Sequence, residues 1–163
     1  MPESFLALIA GVSLLMGCAH AAPIVQASSC DSDPSLQREK SAELREIARE
    51  DQADRSGPYD SIDWNEVNPR DLDRRVRVAR LFAEGCLKSA SDYTAAALVF
   101  QHGTTADHYY QSFLWSNEAV KLGDGSQRMA VATAIDRYLV KTNQKQLFGT
   151  QFSQDKGAEK WCI

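Results

Sequence analysis

The sequence predicts an all-α protein: a small bundle of antiparallel helical hairpins with about five helices, preceded by an N-terminal signal and a tether. Three observations predict this fold. Apolar residues recur at helical spacing, capping residues precede the periodic segments and glycines follow them, and short loops force neighbouring helices to be antiparallel. The 163-residue chain is 44% hydrophobic and 25% charged, as in ordinary globular proteins, so we expect a single helical domain over residues 36–163.

The N-terminus has the pattern of a secretion signal. Residues 5–17, FLALIAGVSLLMG, carry no charge, and this run has the length of a signal-peptide core but is too short to span a bilayer. Cleavage before Cys18 fits the lipoprotein pattern LMGC, whereas AHA at residues 19–21 fits ordinary cleavage near Ala21. A third alternative is an uncleaved anchor or an upstream start codon, because residues 1–4 lack Lys and Arg. We expect a lipoprotein-type signal over residues 1–21.

This signal predicts export, to the periplasm or as an outer-membrane lipoprotein, or alternatively secretion. The membrane would then be contacted only through a lipid anchor on Cys18. In an oxidising compartment a disulfide is expected to join Cys162 to Cys30 or Cys86. We favour Cys30 with Cys162, which would tie the two ends of the domain together, and leave Cys86 as a small buried residue. No pair of cysteines has the close spacing of a metal site, so no metal and no cofactor are expected.

Residues 22–35, rich in Ser, Ala and Pro, are expected to form a flexible tether. A largely exposed helix should follow over residues 36–54, because its apolar stripe is narrow and Ser56-Gly57-Pro58 stops it. The stripe consists of Leu36, Leu44, Ile47 and Ala48.

The second helix is predicted over residues 69–84. Asn68 suits an N-cap, Pro69 suits the first helical position, and Gly85 supplies a left-handed stop. Its buried face is expected to contain Leu72, Val76, Ala79 and Phe82.

Three more helices follow the same pattern. Ser89 should cap a helix that ends at Gly103, Thr104 or Thr105 should open one that ends at Gly123, and Ser126 should open the last. After about Asn143 the period fades, and residues 147–152, LFGTQF, are apolar and β-prone enough to pack as an extended segment.

Three residues are candidates for catalysis: His102, Asp51 and Asp136. His102 falls in the last turn of a helix, where it could be a general base or could merely complement the negative helix end. Asp51 has the i, i+4 spacing of a surface ion pair with Arg55. Asp136 shares a helical stripe with apolar residues, so a guanidinium, amide or backbone donor must meet its carboxylate, and Arg55, Arg74, His102 and Gln151 are candidates. Candidates for binding are Gln52, Arg55, Gln101, Arg137 and Gln151.

Five segments carry these residues in combination: EDQxDR at residues 50–55, WxxV at 64–67 with Asp71, DYxxAAxxFQHG at 92–103, DRYL at 136–139 and QxFGTQ at 146–151. Together they resemble a bacterial domain family of unknown function, DUF6624, over residues 37–152. The resemblance implies no mechanism and no residue roles, because the family has no established activity to transfer. It does imply that the polar segments, rather than the helical scaffold, characterise the family.

The sequence lacks the familiar catalytic motifs, including nucleophile elbows, phosphate loops and dinucleotide fingerprints. We therefore expect a non-enzymatic binding or interaction module of the cell envelope that presents a polar groove between helices. The expected partner is a protein, a peptide or a small polar ligand. The alternative is a small hydrolase in which His102 is the base and Asp51, Asp136 or Gln151 orients it. Nucleic acid is not an expected partner, because the net charge is −4 and no basic tail occurs.

Overall fold

The structure is a computed structural model that describes residues 29–152. Five α-helices follow one another: α1 Pro34–Ala53, α2 Trp64–Ala83, α3 Ala90–Gln101, α4 Ala106–Lys121 and α5 Arg128–Lys141. Two short 3₁₀ turns, Tyr59–Ser61 and Gly125–Gln127, precede α2 and α5. No strand occurs within residues 29–152, and the predicted all-α bundle of about five helices is confirmed.

α3 is the centre of the bundle. It packs along α4, which packs in turn on α5, and α1 and α2 cover its other side. Its sequence explains this position, because Ala95, Ala96 and Ala97 are all buried and let neighbouring helices approach closely. The core around these alanines contains Leu44 and Ile47 from the predicted stripe of α1, and Val78, Leu81, Val99, Phe100 and Trp115.

Side chains cap the helices largely where the sequence predicts. Ser89 accepts a hydrogen bond from the backbone N–H of Asp92, whose carboxylate accepts from the backbone of Ser89 in return. Thr105 forms the corresponding pair with His108 at the start of α4. These reciprocal bonds satisfy N–H groups that the first helical turn leaves free.

The predicted start and buried face of α2 are wrong. Asp63, not Asn68, is the N-cap, so Pro69 lies at the sixth position of the helix. The exposed fractions of Leu72, Val76 and Phe82 are 58%, 51% and 48%, and Ala79 is exposed as well. The face that packs on α1 and α3 contains Val67, Asp71, Arg74, Arg75, Val78 and Leu81. Ion pairs to α1 hold this face in place, and hydrophobic periodicity does not detect ion pairs.

A disulfide joins Cys30 to Cys86, with their Cα atoms 5.0 Å apart. The predicted disulfide from Cys162 to Cys30, or alternatively to Cys86, is therefore wrong, and Cys162 lies outside the described residues. Cys86 is buried, as expected, but as a disulfide partner. The physical reason is proximity: Cys30 lies just before α1, and its backbone N–H donates to the carbonyl of Glu84 at the end of α2. The last part of the predicted tether thus belongs to the folded domain.

The segment after α5 does not pack as the sequence predicts. Asn143 adopts a left-handed conformation with φ of 58° and ends the helical course of the chain. Leu147, Phe148 and Phe152 are 70%, 62% and 62% exposed, so their side chains do not join the core. Backbone N–H groups, rather than apolar side chains, fix this segment to α5.

Candidate functional site

The ends of α1 and α3 bring together Asp51 and His102, which we call the dyad. Nδ1 of His102 lies 2.8 Å from Oδ2 of Asp51. Asp51 is completely buried, whereas the side chain of His102 keeps 22% of its surface exposed. No described residue forms a hydrogen bond with Nε2 of His102. The second ring nitrogen is thus left for a ligand or for solvent.

Two neighbours on α1 complete the surroundings of the Asp51 carboxylate. Gln52 donates from Nε2 to Oδ2 at 2.9 Å, and Arg55 donates from Nη1 to Oδ1 at 3.1 Å. The predicted Asp51–Arg55 pair therefore exists, but it is buried rather than on the surface. Because the carboxylate has partners on both oxygens, its orientation toward His102 is fixed.

Arg55 also links the dyad to a second layer of ion pairs on α2. Its Nη2 donates to Asp71 at 2.5 Å, and Asp71 accepts from Arg74 at 2.8 Å. Arg74 also pairs with Asp54, which Arg70 contacts at 2.9 Å. The hydrogen bond from Arg70 is the main cause that lowers the pKa of Asp54 to about 2. This layer locks α1 against α2 behind the dyad.

Arginines, not histidine, satisfy the free carbonyls at the end of α3. Arg137 on α5 donates from Nη1 to the carbonyl of Gln101 at 2.6 Å, and Arg75 on α2 donates from Nη1 to the carbonyl of His102 at 3.2 Å. His102 lies at this helix end, as predicted, but its imidazole donates to neither carbonyl. The imidazole contacts Asp51 instead.

Arg75 is a buried cation without a carboxylate partner. It is 7% exposed, and its Nε has no hydrogen-bond partner. None of the ion pairs of the described residues includes it. Burial lowers the pKa of its guanidinium, and the charges of Asp71, Asp51 and Tyr109 act in the opposite direction, partly offset by Arg55. A charge in this position favours an anion nearby.

A pocket of about 460 Å³ opens beside the end of α5, and we call it the α5 pocket. The residues that line it are Tyr109, Arg137, Val140, Lys141, Asn143 and Gln151. Within it Nε of Arg137 donates to Oε1 of Gln151 at 3.2 Å, and the guanidinium lies 5.9 Å from the centre of the Tyr109 ring. Burial lowers the pKa of Arg137.

Asp136 holds the segment that carries Gln151. Its side chain is fully buried, as predicted, but none of the four predicted partners contacts it. The donors are the backbone N–H groups of Leu147, Phe148 and Thr150 and the hydroxyl of Thr150, at 2.8 to 3.2 Å. Burial alone would raise the pKa of Asp136, but these hydrogen bonds outweigh it, and the net effect lowers the pKa.

His108, the other histidine of the domain, has a structural environment. Its Nδ1 accepts from the backbone of Thr104 at 3.1 Å, and its ring packs edge-on against Phe100. Burial lowers its pKa. The close packing of His108 requires a glycine at position 103, since a Cβ on Gly103 would lie 2.3 Å from the Cβ of His108.

The predicted site residues thus form two groups and two outliers. Asp51, Gln52, Arg55 and His102 meet at the dyad, and Arg137 and Gln151 meet in the α5 pocket. The backbone from Gln101 to His102 links the groups. The side chain of Gln101 turns away to accept from Ser112, and Asp136 is enclosed by the backbone of its loop.

Sequence reasoning missed Arg75, Tyr109 and Lys141. A signal for Arg75 existed, because it lies four residues after Asp71 and three before Val78, on the face that proves to be buried. Tyr109 and Lys141 carry no comparable signal.

Within residues 29–152 no group of three or more His, Cys, Asp or Glu side chains is placed to hold a metal ion. None of the helices in that range is long and apolar enough to cross a membrane. The chain matches no family model, no curated protein and no solved structure. Its resemblance to the DUF6624 family therefore stays a prediction.

Proposed function

We propose that the domain is a small hydrolase in which Nε2 of His102 is the general base and Asp51 orients the ring. One observation carries the proposal: the 2.8 Å contact between a fully buried carboxylate and an imidazole that is still 22% exposed. A buried carboxylate that orients an accessible imidazole is an arrangement typical of a general base.

The dyad selects the tautomer that a base requires. An ionised carboxylate only accepts hydrogen bonds, so the proton between the two residues belongs to Nδ1 of His102. The lone pair then lies on Nε2, which no described residue occupies. Asp51 would also stabilise the imidazolium that forms when Nε2 takes up a proton.

Water is the nucleophile that this arrangement favours. Among residues 29–152 no Ser, Thr or Cys side chain is hydrogen-bonded to His102. In the proposed reaction Nε2 removes a proton from water while the oxygen bonds to the electrophilic atom of the substrate. The bond to the leaving group then breaks, and the imidazolium returns the proton to that group.

An untargeted comparison tests the proposal. Purified wild type and His102→Gln are incubated with a metabolite extract, and the products are followed by mass spectrometry. Glutamine can still donate to Asp51, so the variant should keep the fold. We expect at least one hydrolysis product to form with the wild type and with the control Arg128→Gln, but not with His102→Gln. Identical extracts from wild type and His102→Gln would contradict the proposal.

A second candidate is the non-enzymatic binding module that the sequence favours. It is supported by the polar lining of the α5 pocket, where Arg137, Asn143 and Gln151 could bind a ligand without chemistry. The two candidates differ in one result. A module retains an unaltered ligand that can be recovered from the protein, whereas a hydrolase releases two products.

We also propose that the domain acts after export, as a lipoprotein attached through Cys18. The Cys30–Cys86 disulfide supports an oxidising compartment, since such bonds rarely persist in the cytosol of mesophiles. Labelling of cells with a palmitate analogue should mark the wild type and leave Cys18→Ser unmarked. Equal labelling of the two forms would refute the lipid anchor.

A further inference from the structure

We propose that the α5 pocket is an oxyanion-binding subsite, which holds a carboxylate or phosphate group of the molecule that His102 acts on. The inference rests on the proposed function only in assigning the bound group to a substrate. The binding itself follows from the charges and free donors of the pocket.

Among residues 29–152 the lining of the pocket has one sign of charge. Arg137 and Lys141 supply two cations, Asn143 and Gln151 supply amides, and no carboxylate from that part of the chain belongs to the lining. Asp136, the acidic residue next to Arg137 in the sequence, is buried. Its carboxylate oxygens accept hydrogen bonds from the backbone N–H groups of Leu147, Phe148 and Thr150. It is therefore not available to neutralise the pocket.

Two hydrogen bonds hold the guanidinium of Arg137 in place and leave one of its nitrogen donors available to a ligand. Its Nη1 is fixed on the carbonyl of Gln101, and its Nε is fixed on the side chain of Gln151. Nη2 has no partner among the described residues. A guanidinium anchored in this way loses little further entropy when it binds an oxyanion.

The second cation, Arg75, extends this positive region toward the dyad. Arg75 donates to the carbonyl of His102, and Arg137 donates to the carbonyl of the preceding residue, Gln101. Arg75 is more than nine-tenths buried, and its Nε lacks a partner. Two cations without ion-pair partners therefore flank the short backbone that connects the pocket to the base.

The size of the pocket limits the ligand. A volume of about 460 Å³ suits a small polar molecule and is too small for a folded partner. The structure therefore points to a small anionic substrate whose charged group lies in the α5 pocket and whose scissile bond faces His102.

Titration with two simple probes tests the subsite. Inorganic phosphate and acetate are titrated into the wild type, Arg137→Gln, Lys141→Gln and the matched control Arg128→Gln, at constant ionic strength, by NMR. Arg128 is exposed on the same helix and does not line the pocket. We expect saturable binding of at least one probe, weakened about 10-fold or more in Arg137→Gln, since a charge-assisted hydrogen bond contributes that much.

The control separates a site from general electrostatics. Arg128→Gln should bind as tightly as the wild type, whereas Lys141→Gln, which removes an exposed side chain and spares the packing, should bind a few-fold more weakly. Phosphate binding without acetate binding would support a phosphate group as the charged group that the pocket holds, and the converse result would support a carboxylate. Equal affinities of the wild type, Arg137→Gln and Lys141→Gln, or no saturable binding of either probe, would overturn the subsite.

The subsite and the hydrolase can fail separately. If the probes bind as expected but wild type and His102→Gln leave a metabolite extract identical, the subsite stands and the hydrolase fails. If the wild type forms a product that Arg137→Gln forms with unchanged KM, the hydrolase stands and the subsite is refuted.

Discussion

The imidazole of His102 and the carboxylate of Asp51 lie 2.8 Å apart, although they are 51 positions apart in the sequence. Each stands at the C-terminal end of its helix, Asp51 in the last turn of α1 and His102 at the cap of α3. The packing of α1 against α3 therefore builds the contact. Arg55 and Gln52 hold the carboxylate from the other side, so the ring has little freedom to turn away.

Replacement of Asp51 by Asn should reverse the tautomer of His102. An amide NH₂ at the position of Oδ2 is a donor, so Nδ1 must become the acceptor and the proton moves to Nε2. Nitrogen chemical shifts of the imidazole, measured by two-dimensional NMR, report the change directly. Activity that depends on Nε2 as a base should fall by about 10²-fold or more.

Asp60→Asn is the matched control, because Asp60 is exposed and is not among the hydrogen-bond partners of the dyad. It should leave the tautomer and the activity as they are. If Asp51→Asn keeps the nitrogen shifts of the wild type, Asp51 does not determine the state of the ring, and its role as an orienting residue is lost.

Local signals explain why most of the fold could be predicted from the sequence. Ser89 and Thr105 sit before apolar runs, and the side chain of the residue three positions later returns a hydrogen bond, so the starts of α3 and α4 are encoded nearby. The face of α2 is different. Leu72, Val76 and Phe82 form an apolar stripe as regular as the face that is buried. Ion pairs between the end of α1 and α2 determine which of the two faces packs against the bundle.

The candidate site was predictable as a set of residues but not as an arrangement. Asp51 and His102 were both candidates, yet the i, i+4 spacing of Asp51 and Arg55 is also that of a surface pair. The burial of Asp136 was encoded in its helical phase. Its partners were not, because backbone N–H groups of a loop have no signature in the side-chain pattern.

Loss of the disulfide should destabilise the domain strongly. Cys30 and Cys86 close a loop with a sequence separation of 56, for which the chain-entropy model gives about 4 kcal/mol of stabilisation. Cys86→Ser should therefore lower the free energy of unfolding by about this amount in a denaturant titration. Cys162→Ser is the control and should have no such effect. Peptide mapping without reduction that finds Cys162 joined to Cys30 would contradict the pairing.

Gly103→Ala should be one of the costlier substitutions outside the dyad. A Cβ would lie 2.3 Å from the Cβ of His108, so the backbone at the start of α4 must shift, which would also disturb the contact of the His108 ring with Phe100. We expect a loss of about 1 to 3 kcal/mol, the usual cost of overpacking. Gly125→Ala is the matched control, because its Cβ would meet only the end of Arg128 at 3.7 Å. A melting temperature of Gly103→Ala equal to that of Gly125→Ala would contradict this contact.

Acid should weaken the junction between α1 and α2 in a narrow pH range. The pKa of Asp54 is lowered from 3.8 to about 2, mainly by its hydrogen bond from Arg70. Its contribution of about 2 kcal/mol is therefore complete above pH 4 and is lost as the pH falls toward 2. Asp54→Asn should be less stable than the wild type at pH 7, and the difference in unfolding free energy should shrink between pH 4 and 2. A difference that does not change with pH would show that Asp54 does not titrate in this range.

Asp136→Asn should loosen the loop over residues 147–151 and leave the helical bundle folded. The carboxylate accepts from three backbone N–H groups and one hydroxyl, and an amide replaces one accepting oxygen with a donor that faces Thr150. The loss of these bonds in a buried position should cost about 2 to 3 kcal/mol and lower the melting temperature clearly. Hydrogen exchange of the amides of Leu147, Phe148 and Thr150 should accelerate.

The same variant distinguishes a structural from a positioning role. Because the loop carries Gln151, which contacts Arg137, its release should also weaken phosphate or acetate binding in the α5 pocket while the nitrogen shifts of His102 stay unchanged. Thr150→Val is the control variant with a smaller expected effect, since it removes the hydroxyl donor to Asp136 and keeps the backbone donors. An Asp136→Asn protein with wild-type stability and wild-type exchange at all three amides would show that Asp136 does not organise this loop.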